Sequence, residues 1–121
     1  MNDDAVAMAK KTETVIARIA AALGLPHMYC DPDTRQRGDR GIQDDQRLEL
    51  VAWSRSWSKA KLRTEIATAH DLREHFWLEC LAKWIGRRTL LVCGADHVQS
   101  FKRKAIVANW APRVIRQCWL P

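Results

Sequence analysis

The sequence contains no apolar run of the length that crosses a bilayer. Near the N-terminus, Asp3 and Asp4 precede Lys10 and Lys11, whereas a secretory signal begins with positive charges. We therefore expect a cytoplasmic protein that does not enter a membrane.

Paired cysteine spacing is also absent. None of the four cysteines belongs to a C-x-x-C pair, and they lie far apart in the chain at Cys30, Cys80, Cys93 and Cys118. Disulfide frameworks are typical of small secreted domains, and zinc sites normally have paired ligands. The pattern predicts buried, reduced thiols.

The chain has no standard nucleic-acid-binding motif, although it is basic. Its 121 residues suffice for one domain, 1–121, with a net charge of +6. Residues 1–60 contain nine Lys/Arg and nine Asp/Glu, while residues 61–121 contain eleven and five. A basic half indicates an anionic ligand or partner, but a charge of this size is also ordinary for solubility. Both interpretations stay open.

Helical periodicity is present in four segments. Apolar residues recur at helical spacing in the ranges 3–23, 45–57, 62–85 and 97–108. Asp44 or Asp45 is predicted to cap the second helix, and Asp96 the fourth. The segment 35–45 is polar and contains two glycines, which predicts a mobile loop.

Three short apolar stretches predict strands at 28–30, 89–93 and 114–119. The last two flank a helix, as in a βαβ unit, whose strands are parallel. Together with the helices, they predict a small, single-domain, layered α/β fold with a mostly parallel sheet.

The stretch Thr89–Phe101 reads as strand, tight turn and helix. In α/β proteins this junction lies at the carboxyl edge of the sheet, where free N–H groups bind ligands. We therefore predict a ligand site at Gly94–His97, with an anionic group held by Gly94, Arg87, Arg88 and Lys102.

Asp31 and Asp33 follow the first predicted strand and would reach the same edge as His97. Carboxylates and imidazole are ligands for a divalent metal, so the predicted metal ligands are Asp31, Asp33 and His97. A histidine beside a carboxylate can also act as a general acid or base, which makes His97, Arg73 and Asp96 the candidate catalytic residues. The simpler roles of the three aspartates are helix capping and turn formation.

Two residue pairs on the predicted helices have a plainer interpretation. Trp53 and Trp57 are four residues apart, which predicts core packing or, alternatively, a self-association surface. His70 and Glu74 have the same spacing and predict an exposed helical pair.

The motif Gly94-Ala95-Asp96-His97 follows an apolar segment and, farther upstream, Leu72-Arg73-Glu74-His75-Phe76-Trp77. Over about residues 70–101 this pattern resembles the C-terminal part of the erythromycin esterase/Tiki/TraB-like superfamily, which has GxxH motifs on strands. The resemblance implies an α/β fold and hydrolysis, with metal or haem dependence in some relatives. It would make His97 the motif histidine and Arg73 the helix arginine. The letters of a second GxxH, at Gly24-Leu25-Pro26-His27, lie at the opposite edge, which implies a reduced, hydrolase-like relative.

Two functions remain open at this point, and with them the question whether the chain is an enzyme. The first is binding of an anionic or metal-associated ligand at Gly94–His97. The second is a non-enzymatic interaction or inhibitor protein that docks its basic C-terminal half on an acidic protein or a nucleic acid. Six tryptophans and the edges of a small sheet also favour a homodimer.

Overall fold

The computed structural model describes residues 14–117 of the chain, and this part is helical. Its helices are α1 (Val15–Ala22), α2 (Thr34–Arg40), α3 (Asp45–Ser54), α4 (Lys59–Leu81) and α5 (Val98–Val107). Short 3₁₀ turns occupy Ala82–Trp84 and Ala95–His97. No helix in the described range is long and apolar enough to cross a membrane.

The predicted α/β fold is wrong, because residues 14–117 contain no strand. The segments 28–30, 89–93 and 114–117 are irregular, and 118–119 lie outside the described residues. Within 89–93, Leu91 packs against the core whereas Leu90 is exposed. A short apolar run can therefore pack against the helical core without a partner strand, and such a run alone does not predict a sheet.

Four of the five described helices lie within or close to the predicted ranges, with different ends. α1 falls inside 3–23, of which residues 3–13 are outside the described part. α3 begins after Asp44, whose side chain accepts from the Gln46 N–H at 3.0 Å, so capping by Asp44 is confirmed. α4 begins three residues before the predicted 62–85 and ends at Leu81.

The segment 35–45 contains a helix where a loop was predicted. Asp33 caps α2, because its carboxylate accepts from the Gln36 N–H at 2.8 Å while the Gln36 side chain accepts from the Asp33 N–H at 2.9 Å. This reciprocal capping box supports a short polar helix without apolar periodicity. The chain then turns so that Ile42 enters the core.

Two of the helices end in a residue with positive φ that is not glycine. Ser56 follows α3 with φ of 52°, and Asn109 follows α5 with φ of 66°. The next N–H reaches back to the last turn, as from Trp57 to the Ala52 carbonyl at 2.9 Å. This closure orients the chain into α4, whose first turn is capped by Ser58.

The C-terminal half of α4 is the centre of the core. α3 and α5 both pack against α4. The buried apolar cluster consists of Ile42, Phe76, Trp77, Cys80, Leu81 and Phe101. Phe101 meets the Trp77 ring edge-on, with ring centroids 5.7 Å apart. The polar side chains described below lie around this cluster, on both sides of Trp77.

We expect Ser56→Gly to stabilise the protein. A non-glycine residue in the left-handed region costs roughly 1–2 kcal/mol, and the greater unfolded-state entropy of glycine removes about half of that gain, which leaves up to about 1 kcal/mol. Urea unfolding measures the change. Ser54→Gly, at the last residue of α3, where φ is not positive, is the control and should not stabilise; equal effects of the two variants would contradict the prediction.

Candidate functional site

Trp77 separates two clusters of polar side chains. Its indole Nε1–H donates to Asp31 Oδ1 at 3.2 Å on one side. On the other side its ring meets the His97 ring edge-on, with centroids 4.8 Å apart. The structure therefore brings the segment Leu72–Trp77 and the motif Gly94–His97 together at Trp77.

The first cluster is built on the Asp31 carboxylate. Arg73 Nε and Nη2 donate to its two oxygens at 2.6 and 2.7 Å, and Arg37 Nη2 donates at 2.9 Å. Partial burial opposes ionisation of Asp31, but the Arg73, Trp77 and Arg37 contacts outweigh it and lower the pKa of the carboxyl. Hydrogen bonding to Asp31 likewise raises the pKa of Arg73. Arg73, which lies among the buried apolar residues of α4, is thus paired with a carboxylate.

The second cluster is built on Glu74, whose exposed fraction is 1%. Glu74 Oε2 lies 3.4 Å from His97 Nδ1 and accepts from the Ser100 hydroxyl at 3.3 Å. Glu74 Oε1 has no hydrogen-bond partner among the described residues, and Lys104 Nζ stands 3.6 Å away. Lys104 is held more closely by Asp71, at 2.8 Å. A buried carboxylate with such long contacts is unusual in a folded protein.

Two histidines stack within this cluster. The His70 and His97 ring centroids are 4.2 Å apart, and His70 Nε2 lies 2.9 Å from Asp45 Oδ2. Burial lowers the pKa of His97, the neighbouring His70 lowers it further, and the Glu74 carboxylate only partly opposes this. The His70–Asp45 contact joins α4 to α3, and the His97–Glu74 contact joins α4 to the turn before α5.

The predicted exposed pair of His70 and Glu74 is therefore wrong. Each side chain instead pairs with a different element, His70 with Asp45 and Glu74 with His97. Glu74 precedes the buried Trp77 by three residues and Leu81 by seven, which is the spacing of the buried stripe. That spacing is the sequence signal that could have placed Glu74 inside.

The three predicted metal ligands each have another partner. Asp31 binds two arginines, Asp33 caps α2, and His97 contacts Glu74. Within residues 14–117 no group of three or more His, Cys, Asp or Glu side chains is arranged to hold a metal ion.

Of the other predicted site residues, Gly94 and Asp96 belong to the turn that carries His97. Gly94 accepts from the His97 N–H at 3.0 Å, and its φ of −61° is open to any residue. Asp96 is exposed in the 3₁₀ turn and makes no capping hydrogen bond, so its predicted capping role is wrong. Arg87 lies over the Trp84 ring, 5.5 Å from its centroid, as part of the segment after α4.

Arg88 and Lys102 complete the predicted ligand-binding set. Arg88 is exposed after the C-terminal end of α4, while Lys102 is half-buried on α5. Neither forms an ion pair within the described part of the chain.

Cys30, Cys80 and Cys93 are free thiols, whereas Cys118 lies outside the described residues. Burial and the nearby Cys80 raise the pKa of Cys30 to about 11. Burial and the Glu74 charge also raise the pKa of Cys93. Both thiols are shifted away from the thiolate form that a nucleophile requires, although Cys93 lies near His97 in the sequence.

A groove of about 560 Å³ opens between α4 and α5. Its lining combines cationic, anionic and apolar side chains and includes Asp71, His75, Leu78, Arg103, Lys104 and Val107. Asp71 balances Lys104 there, and hydrogen bonding to Lys104 lowers the pKa of Asp71.

We expect Glu74→Ala to destabilise the fold by about 2–4 kcal/mol, because it leaves His97 Nδ1 and Ser100 without their buried acceptor and opens a cavity. Glu74→Gln keeps an acceptor oxygen without the buried charge and should change stability by less than about 1 kcal/mol. Denaturant unfolding measures both. Glu49→Ala, on the exposed side of α3, is the control; equal stabilities of Glu74→Ala and Glu49→Ala would show that the cluster does not hold α4 and α5 together.

We expect the protein to lose stability as the pH falls below about 6.5. His97 has a lowered pKa in the folded state, so it binds a proton more tightly when unfolded. Its contribution is therefore complete above its ordinary pKa of about 6.5 and is lost as the pH falls toward the folded value, by at most about 1.4 kcal/mol per pH unit for one proton.

Urea unfolding between pH 7.5 and about 5.5 tests this, above the range in which the carboxyls titrate. His97→Asn retains a donor near Nδ1 but does not titrate, so its stability should depend less on pH. His27→Asn, which replaces an exposed histidine far from the cluster in the chain, is the matched control for the loss of an imidazole. A wild-type slope in His97→Asn would assign the pH dependence elsewhere.

Comparison with known proteins adds no relative to this description. The resemblance to the erythromycin esterase/Tiki/TraB-like superfamily remains a prediction from residues 70–101. No protein-family model, no curated protein and no solved structure matches the chain.

Proposed function

We propose that this chain is a non-enzymatic interaction module that docks on an acidic surface of a partner protein. The observation that carries the proposal is the way in which charges are used. Seven of the eleven described carboxylates form ion pairs or cap helices, whereas most of the described cations have no acidic partner.

The described residues contain 18 Lys/Arg and 11 Asp/Glu. Five of the acidic side chains form ion pairs with Lys, Arg or His: Asp31, Asp45, Asp71, Glu74 and Glu79. Asp33 and Asp44 cap helices. Four of the eleven carboxylates have neither role, and the 18 cations outnumber all the carboxylates, so the described part keeps a net positive charge.

Four of the 18 cations pair with carboxylates, namely Arg37, Arg40, Arg73 and Lys104, and Arg116 has a further interaction. The remaining 13 have no acidic partner within 14–117. They are not confined to the C-terminal half, since they include Arg47, Arg55 and Lys59 as well as Arg87, Arg88 and Arg103. Solubility alone would account for a positive charge of this size, but it does not explain the apolar side chains that are exposed beside the cations.

Large apolar side chains are exposed beside these cations. Ile85 and Leu90 flank Arg87 and Arg88 in the segment after α4. On α5, Val107 is exposed at the groove that Arg103 also lines. Alternation of exposed apolar and cationic side chains favours a protein partner, because apolar contacts supply affinity and charges supply selection.

This function requires no chemistry at His97. The exposed fraction of His97 is 7%, and its ring faces His70, Trp77 and Glu74. These contacts hold the helices that present the cationic surface, which is a structural role for the second polar cluster.

Binding of synthetic peptides tests the proposal. We expect an acidic amphipathic helical peptide of Glu and Leu to bind in fluorescence anisotropy, and to weaken as salt is added. A basic counterpart of Lys and Leu should not bind. An acidic peptide of Glu and Ser with the same charge should bind at least about tenfold more weakly, since it lacks the apolar side.

An oligothymidylate of equal charge is the nucleic-acid control. If it bound more tightly than the acidic amphipathic peptide, the partner would be a nucleic acid and the proposal would be wrong. Equal binding of the acidic and basic peptides would also contradict it, because charge would then play no part.

A further inference from the structure

The outer face of α3 is apolar and uncovered. Leu48 and Ala52 point into the core, while Leu50 and Trp53 have exposed fractions of 69% and 84%. Leu50 and Trp53 are three residues apart and therefore share one face of the helix. Core packing, as predicted for Trp53, is wrong; Trp57 is half-buried, with the Lys61 ammonium 4.8 Å from its ring centroid.

The chain on both sides of Leu50 and Trp53 is cationic. Four side chains without an acidic partner among residues 14–117 lie on α3, after it, or in the first turn of α4: Arg47, Arg55, Lys59 and Lys61. Asp44 caps α3, and Asp45 contacts His70. Glu49 is the acidic residue of α3 that neither caps the helix nor forms an ion pair.

We propose that the outer face of α3 docks an acidic amphipathic helix of a partner protein, with Leu50 and Trp53 against the apolar side of that helix. The inference rests on the proposed function and assigns its location and the form of the partner. Tryptophan with an adjacent aliphatic side chain is a common energetic centre of protein interfaces, and the cations around it fit acidic residues at the rim.

A second copy of the chain fits this face less well. A two-fold contact would place Arg47, Arg55 and the lysines of one copy against the same cations of the other. The face is also small, because the 10 residues of α3 span about 15 Å. A stable interface usually buries about 800 Å² on each partner, so a helical peptide matches the available area better.

A nucleic acid would use the same cations but not the same apolar pair. Bases stack on aromatic rings, so Trp53 alone could serve them. Leu50 adds an aliphatic contact of the kind that packs between helices. The observations therefore favour a protein helix over a single strand.

The test uses the full chain and the acidic Glu/Leu peptide described above. Trp53→Ala should weaken peptide binding by about tenfold or more, and Leu50→Ala by a smaller factor. Both side chains are exposed, so circular dichroism and urea unfolding should match wild type. Ile115→Ala, which removes an aliphatic side chain with an exposed fraction of 73% from the segment after α5, is the matched control and should leave binding unchanged.

A second pair of variants tests the cationic rim. Arg55→Glu should weaken binding of the acidic peptide at low salt, with the difference shrinking as salt is added. Arg113→Glu changes the net charge equally on the segment after α5 and should have a clearly smaller effect. Equal effects of the two variants would mean that only net charge matters and would overturn the assigned location.

Three further results would overturn the inference. Unchanged binding in Trp53→Ala would remove the face from the interface, and a loss in Val107→Ala alone would place docking in the groove. Self-association of the wild type in analytical ultracentrifugation that Trp53→Ala abolished would make the occupant a second copy. In each case the wild type could still bind the acidic peptide; failure of the wild type to bind it would instead refute the proposed function.

Discussion

The crossing of α4 with the turn before α5 depends on the burial of the Glu74 carboxylate. A carboxylate charge in the interior is costly unless hydrogen-bond donors surround it. His97, Ser100 and Lys104 each place a nitrogen or oxygen 3.3–3.6 Å from a Glu74 carboxylate oxygen. None of these contacts is short, so no single partner dominates. The Glu74 carboxylate is instead a shared contact for residues that lie 23–30 positions later in the chain. The side chains that meet there fix how α5 lies on α4.

Trp77 connects this point to the Asp31 cluster. Because its indole N–H is satisfied by Asp31, the ring can be buried between polar groups without an unpaired donor. Asp31 in turn neutralises Arg73, which otherwise would place a cation in the apolar stripe of α4. The core of this small chain is therefore a tryptophan and its apolar neighbours bounded by two carboxylates. Segments without regular structure, such as 28–31, are attached to the helices by these side chains.

Much of this architecture could be predicted from periodicity and capping. The ranges 45–57 and 97–108 contain α3 and α5, and Asp44 caps as expected. α2 was missed because its stability comes from the Asp33–Gln36 capping box, which apolar periodicity does not detect. The sheet was predicted because 89–93 is a short apolar run of the kind that forms a strand buried on both faces. Whether such a segment pairs with another strand or lies on a helix depends on distant residues, and no local pattern contains that information.

The candidate site could likewise be predicted only in part from local sequence patterns. Arg73 and Asp31 were both predicted as site residues, one catalytic and the other a metal ligand, whereas the structure pairs them with each other. Glu74 was interpreted as exposed because His70, four residues earlier, offered a local partner. Tertiary contacts replaced this pair with His97 and Asp45, which come from other elements. Long-range pairing decides the role of a helical carboxylate, and spacing along one helix cannot predict it.

Pairing of the carboxylates with cations of the same chain affects the rates at which a partner binds and leaves. A surface that keeps its cations unpaired attracts an acidic partner before contact, which raises the rate of encounter above that of neutral proteins. The lifetime of a complex depends instead on the apolar contacts that form afterwards, and α3 offers only Leu50 and Trp53 for them. Fast encounter with a small apolar contact gives rapid exchange between partners. Under the proposed function, the pairing of Asp31, Asp71 and Glu74 with cations of the same chain would thereby set how quickly the remaining cationic surface is occupied and released.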